Sequence, residues 1–215
     1  MINDAASAAR MVDRQLRGRG VADERVLAAM ERVPRHEFVR PADRRRAYED
    51  RALPTEEGQT ISQPYIVAFM TELLHVKAGL KVLEIGAGSG YQSAVLAEMG
   101  ARVTGIERMG SLARTAANRL ERLGYGPRVQ IVEADGSMGY LPNAPYDRIM
   151  VTAAAPHLFQ GFTDQLAKDG RLVIPIGPMS QQHLYLYQRC PDGWLSTRHL
   201  PCRFVPLLGR EAFEI

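Results

Sequence analysis

The stretch Lys81-Val-Leu-Glu-Ile-Gly-Ala-Gly-Ser-Gly-Tyr91 limits the possible folds of this chain more than any other. An apolar run of Val82, Leu83 and Ile85 ends in glycines at alternate positions, Gly86, Gly88 and Gly90. Beyond them, Val95, Leu96 and Met99 share one face of a helical repeat. Strand, glycine turn and helix are the layout of a nucleotide pocket, because glycine admits positive φ and brings no Cβ between backbone and ligand. The spacing is G-x-G-x-G, and Tyr91 stands where a dinucleotide site has its third small residue. A bulky ring there suits a pyrophosphate poorly. It suits a nucleoside without phosphate, such as S-adenosylmethionine. Glu84 in the strand end and Glu107, about twenty residues on, would supply carboxylates for ribose hydroxyls. The plainer alternative is a tight turn packed for structure alone, which requires no acid at either place.

From Lys81 onward the pattern alternates. Strands are expected at 81–85, 102–106, 128–132, 146–151, 170–175, 183–189 and 199–206, and helices at 91–99, 110–123 and 158–167. Such alternation predicts an α/β fold with a doubly wound, Rossmann-like sheet. Gly100, Gly124, Gly126 and Gly170 punctuate helix ends. Pro191-Asp-Gly193 predicts a turn that joins the last two strands as a C-terminal antiparallel hairpin.

An N-terminal helical extension precedes the sheet. One helix is expected over 4–18, with Ala8, Met11, Val12 and Leu16 on its apolar side. A second starts at the N-cap Asp23 and carries Val26, Leu27, Met30 and Val33, and a third covers 65–74. The stretch 34–63 has no sustained period, which inside a compact domain means a functional loop or disorder. One domain is expected over 1–215: helices and substrate loop in 1–76, cofactor-binding core in 77–215.

Composition removes other classes. Over 215 residues, 46% hydrophobic and 24% charged content is ordinary for a globular protein. No apolar run approaches the roughly 18 residues of a membrane span, and Met1 to Arg10 has no export signal, so a cytoplasmic protein is expected. Cys190 and Cys202 are then expected to be free thiols. Lys77, Lys81 and Lys168 are the only lysines among 27 basic residues. The densest cluster, Arg40, Arg44, Arg45, Arg46 and Arg51, is interrupted by Asp43, Glu49 and Asp50. It reads as a self-paired surface and not as a nucleic-acid stripe. A monomer with neither nucleic-acid nor membrane partners is expected.

Ligands of an open α/β sheet lie beyond the carboxyl ends of its strands. That singles out Glu84 to Gly90, Glu107, Asp135-Gly136 and Thr152-Ala-Ala-Ala-Pro156. Two roles are open to Asp135: acceptor for an adenine amino group, or turn former. If a methyl donor is bound, the acceptor must be deduced from the remaining groups. The run Val151-Thr-Ala-Ala-Ala-Pro156 differs from the Asn-Pro-Pro-aromatic run of amine methylases and offers no base. His36, His75, His157, His183 and His199 are scattered singly, and no metal-ligand spacing occurs. A carboxylate, already ionised at neutral pH, needs only orientation and partial desolvation. Gln59, Thr60 and Ser62 are neutral donors suited to that task. The same residues also fit an ST-turn with Ser62 as N-cap and Pro64 near N1, which composition alone favours.

A resemblance reverses that preference. Glu57-Gly-Gln-Thr-Ile-Ser-Gln-Pro-Tyr-Ile-Val-Ala68, Met70-Thr-Glu-Leu-Leu74 and Val82-Leu-Glu-Ile-Gly-Ala-Gly-Ser-Gly-Tyr-Gln92 closely resemble the protein-L-isoaspartate O-methyltransferases. So do Val33-Pro-Arg-His36, Ala47-Tyr-Glu-Asp50, Ala144-Pro-Tyr-Asp147, Gln165-Leu166, Gly170-Arg-Leu-Val173 and Phe204-Val-Pro-Leu207. The glycine motif is common to many methyltransferases, whereas Gln-Thr-Ile-Ser-Gln-Pro is specific to this family.

The resemblance implies methyl transfer from S-adenosyl-L-methionine, with S-adenosyl-L-homocysteine as product, to the α-carboxylate of L-isoaspartyl residues in damaged proteins and peptides. The ester then collapses to a succinimide, which hydrolyses partly to normal aspartate. Ser62 would be catalytic, assisted by Thr60 and Gln59. Glu84, Gly86, Ala87, Gly88, Ser89, Gly90, Glu107, Asp135 and Gly136 would bind the cofactor. Ala153, Ala154, Val205, Pro206 and Leu207 would line the peptide cleft. One departure stands out: Leu53-Pro-Thr-Glu56 occupies the place where family members usually read Leu-Pro-Ile-Gly. The added carboxylate would alter the loop or repel acidic peptides. A carboxyl methyltransferase with a dedicated peptide or small-molecule acceptor is the alternative activity.

Overall fold

A computed structural model describes residues 4–213. Its centre is a seven-stranded sheet in the order β5-β4-β3-β6-β7-β8-β9. The strands are β3 (Lys81–Ile85), β4 (Arg102–Glu107), β5 (Val129–Glu133), β6 (Tyr146–Val151), β7 (Leu166–Ile176), β8 (Gln182–Cys190) and β9 (Gly193–Cys202). A two-stranded ribbon of β1 (Leu53–Pro54) and β2 (Thr60–Ile61) precedes them. Strands β3 to β7 pair in parallel, and β8 and β9 add on antiparallel. The chain runs outward from β3 through β4 to β5, then returns to place β6 on the other side of β3. That reversal makes a topological switch point between β3 and β6, where such sheets open a crevice.

Helices α1 (Asp4–Met11), α2 (Glu24–Arg32), α3 (Pro64–Leu74), α4 (Tyr91–Glu98), α5 (Gly110–Arg122) and α6 (Gln160–Asp164) cover the sheet. The expected helix over 4–18 is α1 followed by a wider turn at Val12–Leu16 and a tight one at Arg17–Arg19. Asp23 caps α2 as expected, its Oδ1 accepting the Arg25 N–H at 2.9 Å. The Glu72 carboxylate of α3 accepts the N–H groups of Ala22 and Asp23, both at 2.7 Å, so the start of α2 is fastened to α3. From α4, Tyr91 to Ala97 are buried without interruption, which places that helix between the N-terminal helices and the sheet. Among the described residues no helix is long and apolar enough to cross a membrane.

Three expectations are corrected. The helix expected over 158–167 is only Gln160–Asp164, because Leu166 already pairs with Tyr146 at the start of β7. Gly170 therefore lies inside β7, not at a helix end. The register passes from Tyr146–Leu166 to Arg148–Arg171, and the intervening residues bulge, with Asp169 at φ 60°. The last strand, expected at 199–206, is Gly193–Cys202. Cys190 pairs with Gly193 across a two-residue turn, which starts the strand at once, and residues beyond Cys202 leave the sheet.

Cys190, exposed, and Cys202, partly buried, are free and stand at opposite ends of the β8–β9 hairpin. The arginine cluster is self-paired as expected: Arg40 with Asp43 at 2.8 Å, Arg44 with Glu37 at 3.0 Å and Arg46 with Glu49 at 3.4 Å.

Substituting Asp23 by Ala should destabilise the protein by about 1 kcal/mol through loss of the cap. The Asp23 carboxyl is held below its ordinary range, by the Arg25 side chain first. Its contribution is therefore present above the unfolded pKa of roughly 4 and is lost as pH falls through the lower folded value. Urea unfolding of both proteins should show a gap at neutral pH that closes in acid. A gap unchanged by acid would mean that the cap owes nothing to the charge.

Candidate active site

The glycine turn sits at the switch point. Gly86, Gly88 and Gly90 have φ of 91°, 52° and 86°, a region that other residues enter only under strain. Gly86 is restricted twice, since a Cβ there would meet Thr152 Oγ1 at 2.8 Å. The Gly86 and Ala87 N–H groups are held by the Ile106 carbonyl at 2.8 and 3.0 Å. Gly90 turns away from the crevice and packs on Leu120 of α5. The Ser89 carbonyl accepts from Arg119 Nη1 at 2.8 Å.

Glu107, at the end of β4, ties two loops together. Its Oε2 accepts the Gly88 N–H at 2.9 Å and its Oε1 the Met109 N–H at 3.0 Å. It lines a cleft together with Gly86, Gly88, Gly136, Thr152 and Ala153. Gln59 and Thr60 close one side of this cleft, Met109 a second, and Val205, Pro206 and Leu207 a third.

Glu84 is placed differently. Sequence reasoning paired it with Glu107 on one ribose, but it does not border that cleft. It lines an adjoining cavity of about 420 Å³ with Thr60, Ser62, Ala87, Ser89 and Gln92. There it is fully buried, accepts a short hydrogen bond from Ser93 Oγ on its Oε2, and leaves Oε1 without a partner. Burial pushes its carboxyl up to about 8, with the Ser93 bond opposing and Glu107 adding a smaller upward push.

Asp135 takes the turn role and a further one. Its Oδ1 accepts the Ser137 N–H and its Oδ2 the Arg210 N–H, each at 2.9 Å. Burial works to raise its pKa, and these N–H groups outweigh it, so the carboxyl is held below its ordinary range. Asp135 is not among the residues bordering the cleft, whereas Gly136 is.

The loop over 53–61 is ordered by the β1–β2 ribbon, with Leu53 opposite Ile61 and Pro54 opposite Thr60. The tight turn between them uses Glu57 at φ 56° and Gly58 at φ 68°; Glu56, in the place of a usual glycine, needs no positive φ. Glu57 accepts from Ser111 Oγ at 2.8 Å, which latches the loop to the start of α5. Ser62 is not the helix cap: Gln63 is, without a side-chain bond, and Pro64 opens α3. Ser62 instead lines the Glu84 cavity and a second, open groove bordered by Gln63, Ile66, Arg203 and Phe204.

Thr60 and Thr152 border all three spaces. Thr152 was singled out in sequence only as part of a run without a base. Its single O–H is shared between the carbonyls of Ile85 and Gly86, which lie 2.8 and 2.7 Å from Oγ1, pinning β6 to the glycine turn. Ala153 borders the cleft, but Ala154 is fully buried and serves through its backbone. Its N–H donates to Val205 O at 2.8 Å and its carbonyl accepts from Leu207 N at 2.7 Å. Arg203, Arg108 and Met109 carried no motif that could have marked them. A still larger groove lies at the amino ends of β3, β4 and β5 and contains none of the sequence-derived site residues. No group of three or more His, Cys, Asp or Glu side chains is placed to hold a metal among the described residues.

Glu84 gives a measurable signature. With a folded pKa near 8, the stabilisation linked to its neutral form is complete below the unfolded value of roughly 4.3 and is lost as pH rises through 8. Ligand-free Glu84→Gln has no such titration. The thermal midpoint of the unaltered protein should fall relative to the variant between about pH 5 and pH 8. Parallel curves would contradict a buried, protonated Glu84.

Comparison with known proteins agrees with this geometry. Residues 6–212 match the family model described as protein-L-isoaspartate(D-aspartate) O-methyltransferase. The protein-L-isoaspartate O-methyltransferase of Methanoregula boonei is 51% identical over 205 residues, covering 95% of this chain and 94% of that one. The one of Gloeobacter violaceus is 52% identical over 205 residues, covering 95% and 100%. A Plasmodium falciparum protein assigned as a protein-L-isoaspartate O-methyltransferase, crystallised with S-adenosyl-L-homocysteine, superposes with a TM-score of 0.81 at 26% identity, over 94% of this chain and 98% of that one. This chain belongs to the protein-L-isoaspartate(D-aspartate) O-methyltransferase family.

Proposed function

We infer that this protein transfers a methyl group from S-adenosylmethionine to the α-carboxylate of L-isoaspartyl residues in damaged proteins and peptides, the first step of repair through a succinimide. The observation that carries the reading is the meeting of a loop of neutral donors, Gln59 to Ser62, with a glycine-turn cleft through the shared walls Thr60 and Thr152.

The residues fit the cofactor. Glu107 keeps lone pairs for ribose hydroxyls beyond the two N–H groups it accepts. The unpartnered Glu84 Oε1 matches an ammonium group of the amino-acid moiety. Gly86, Ala87, Gly88, Ser89 and Gly136 leave room for close approach, Gly90 shapes the turn, and Asp135 holds the backbone of Arg210, just beyond the segment 205–208 that borders the cleft. When bound, the cofactor supplies an electrophilic methyl carbon on a sulfonium, and the C–S electron pair leaves with sulfur.

This chain supplies alignment and desolvation. Ser62 donates to the acceptor carboxylate, Thr60 and Gln59 fix its approach, and no base is required because the nucleophile is already ionised. Ala153, Val205, Pro206 and Leu207 form the far wall, which excludes water, and Ala154 holds Val205 and Leu207 in place through its backbone. In this reading 1–76 and 77–215 act as the acceptor and donor sides of one methyltransferase domain. The reading extends to a monomer in the cytoplasm with proteins and peptides as partners. The arginines paired with Asp43, Glu37 and Glu49 support it by leaving little free positive charge for nucleic acid in their cluster.

Incubation with labelled S-adenosylmethionine and matched isoaspartyl and aspartyl peptides should label the isoaspartyl peptide alone. Equal labelling, or none, removes the repair reading. Ser62→Ala should lower turnover about a hundredfold, the cost of one preorganised donor, with cofactor affinity little changed. Loss of cofactor binding instead would move Ser62 to the donor side.

A further inference from the structure

Arg35 heads the fully buried side chains by size, and its partners include no carboxylate. Its Nε donates to the Ala47 carbonyl and its Nη2 to the Ser62 carbonyl, both at 2.7 Å. The guanidinium carbon lies 4.8 Å from the centre of the Tyr91 ring, and Nη1 has no hydrogen-bond partner. A guanidinium stays charged in a protein, and a buried charge without a counter-charge is costly. An apolar side chain of similar volume would pack the same space without that cost, so packing alone does not explain this residue.

Its contacts fall on three segments that must be in register. Ala47 follows the helical turn Pro41–Arg46, Ser62 lies between β2 and α3, and Tyr91 opens α4 directly after the glycine turn. The bond to Ser62 O orients the peptide unit that follows the serine, and so the direction of its side chain. The planar fork suits this task, since it reaches two carbonyls at once while lying on an aromatic face. Its charge sits one peptide behind the hydroxyl that borders the cavity. It attracts an anionic acceptor without binding it.

We propose that Arg35 is a positioning residue for the acceptor carboxylate, holding the Ser62 peptide in place and an unneutralised positive charge behind it. This rests on Ser62 as the acceptor-binding residue, and the test separates the two ideas.

Arg35→Lys, Arg35→Met, Ser62→Ala and the double variants would be compared by peptide kinetics, cofactor titration and thermal melting. Arg35→Lys should lower kcat/KM for an isoaspartyl peptide about thirtyfold, the loss of one charge-assisted hydrogen bond, while cofactor affinity stays near that of the unaltered protein. Arg35→Met should lower it further by raising KM. It removes an unbalanced charge and so serves if the lysine variant does not fold. In the Ser62→Ala background either change should cost less than about threefold, because residues that act as a unit are not additive. Full additivity with Ser62→Ala, or a parallel loss of peptide kinetics, cofactor affinity and melting temperature, would overturn the proposal in favour of a purely structural arginine. If Ser62→Ala alone leaves turnover intact, the Ser62 assignment fails first and the coupling with it.

Discussion

The Glu107 carboxylate is the contact on which the rest of the site depends. One oxygen holds the Gly88 N–H from the loop after β3, and the other holds the Met109 N–H from the loop after β4. These are charge-assisted bonds in a group only 7% exposed, so each is stronger than a neutral pair at the surface. They lock two loops that leave adjacent parallel strands, β3 and β4, next to the switch point between β3 and β6. The lock fixes Gly88 in the middle of the three positive-φ glycines, between Gly86, which the Ile106 carbonyl and Thr152 hold, and Gly90, which packs on Leu120. The same carboxylate also borders the cleft, so the group that builds the loop presents an acceptor to whatever lies beside it.

The two acids that look equivalent in sequence do different work because the glycine turn passes between their spaces. Glu107 is satisfied by backbone and faces the larger cleft. Glu84 is buried beneath the turn, with one oxygen bonded to Ser93 and the other free. A carboxyl so placed is neutral over much of the physiological range, and its charge state responds to a cation arriving nearby. In the proposed reading an ammonium group at Oε1 releases the Glu84 proton, while Glu107 anchors the loops throughout.

Much of this was legible beforehand because local rules and long-range packing agree there. The alternation of strand and helix after Lys81, the Asp23 cap and the hairpin turn at Pro191–Asp192 all follow from residue types at short spacing, whereas the donor role of Gln59, Thr60 and Ser62 rests on a resemblance. The failures occur where a non-local partner overrides a local preference. Helical spacing after Leu158 yields to pairing of Leu166 with Tyr146. Asp135, read as either adenine acceptor or turn former, also holds a backbone N–H of Arg210, which lies 75 residues away. The value of Thr152 is equally hidden, since a threonine in a run of alanines signals nothing until β6 is laid beside β3. Arg35 was visible only as part of a resemblance, because no spacing rule marks an arginine whose partners are backbone carbonyls.

The C-terminal strap shows how the cleft of Glu107 and the groove beside Ser62 come to share a wall. After Cys202 the chain leaves the sheet and crosses Ala154, exchanging hydrogen bonds through Val205 O and Leu207 N. It is then pinned by Asp135 to the Arg210 N–H and by Ser137 Oγ to the Glu211 N–H. A side chain larger than alanine at 154 would have to enter a fully buried position behind the strap, so the small residues there serve the backbone approach. Val205 consequently borders both the cleft of Glu107 and the open groove beside Ser62. A ligand pressing on either face of Val205 acts on one segment held at both ends, by the Ala154 backbone and by Asp135.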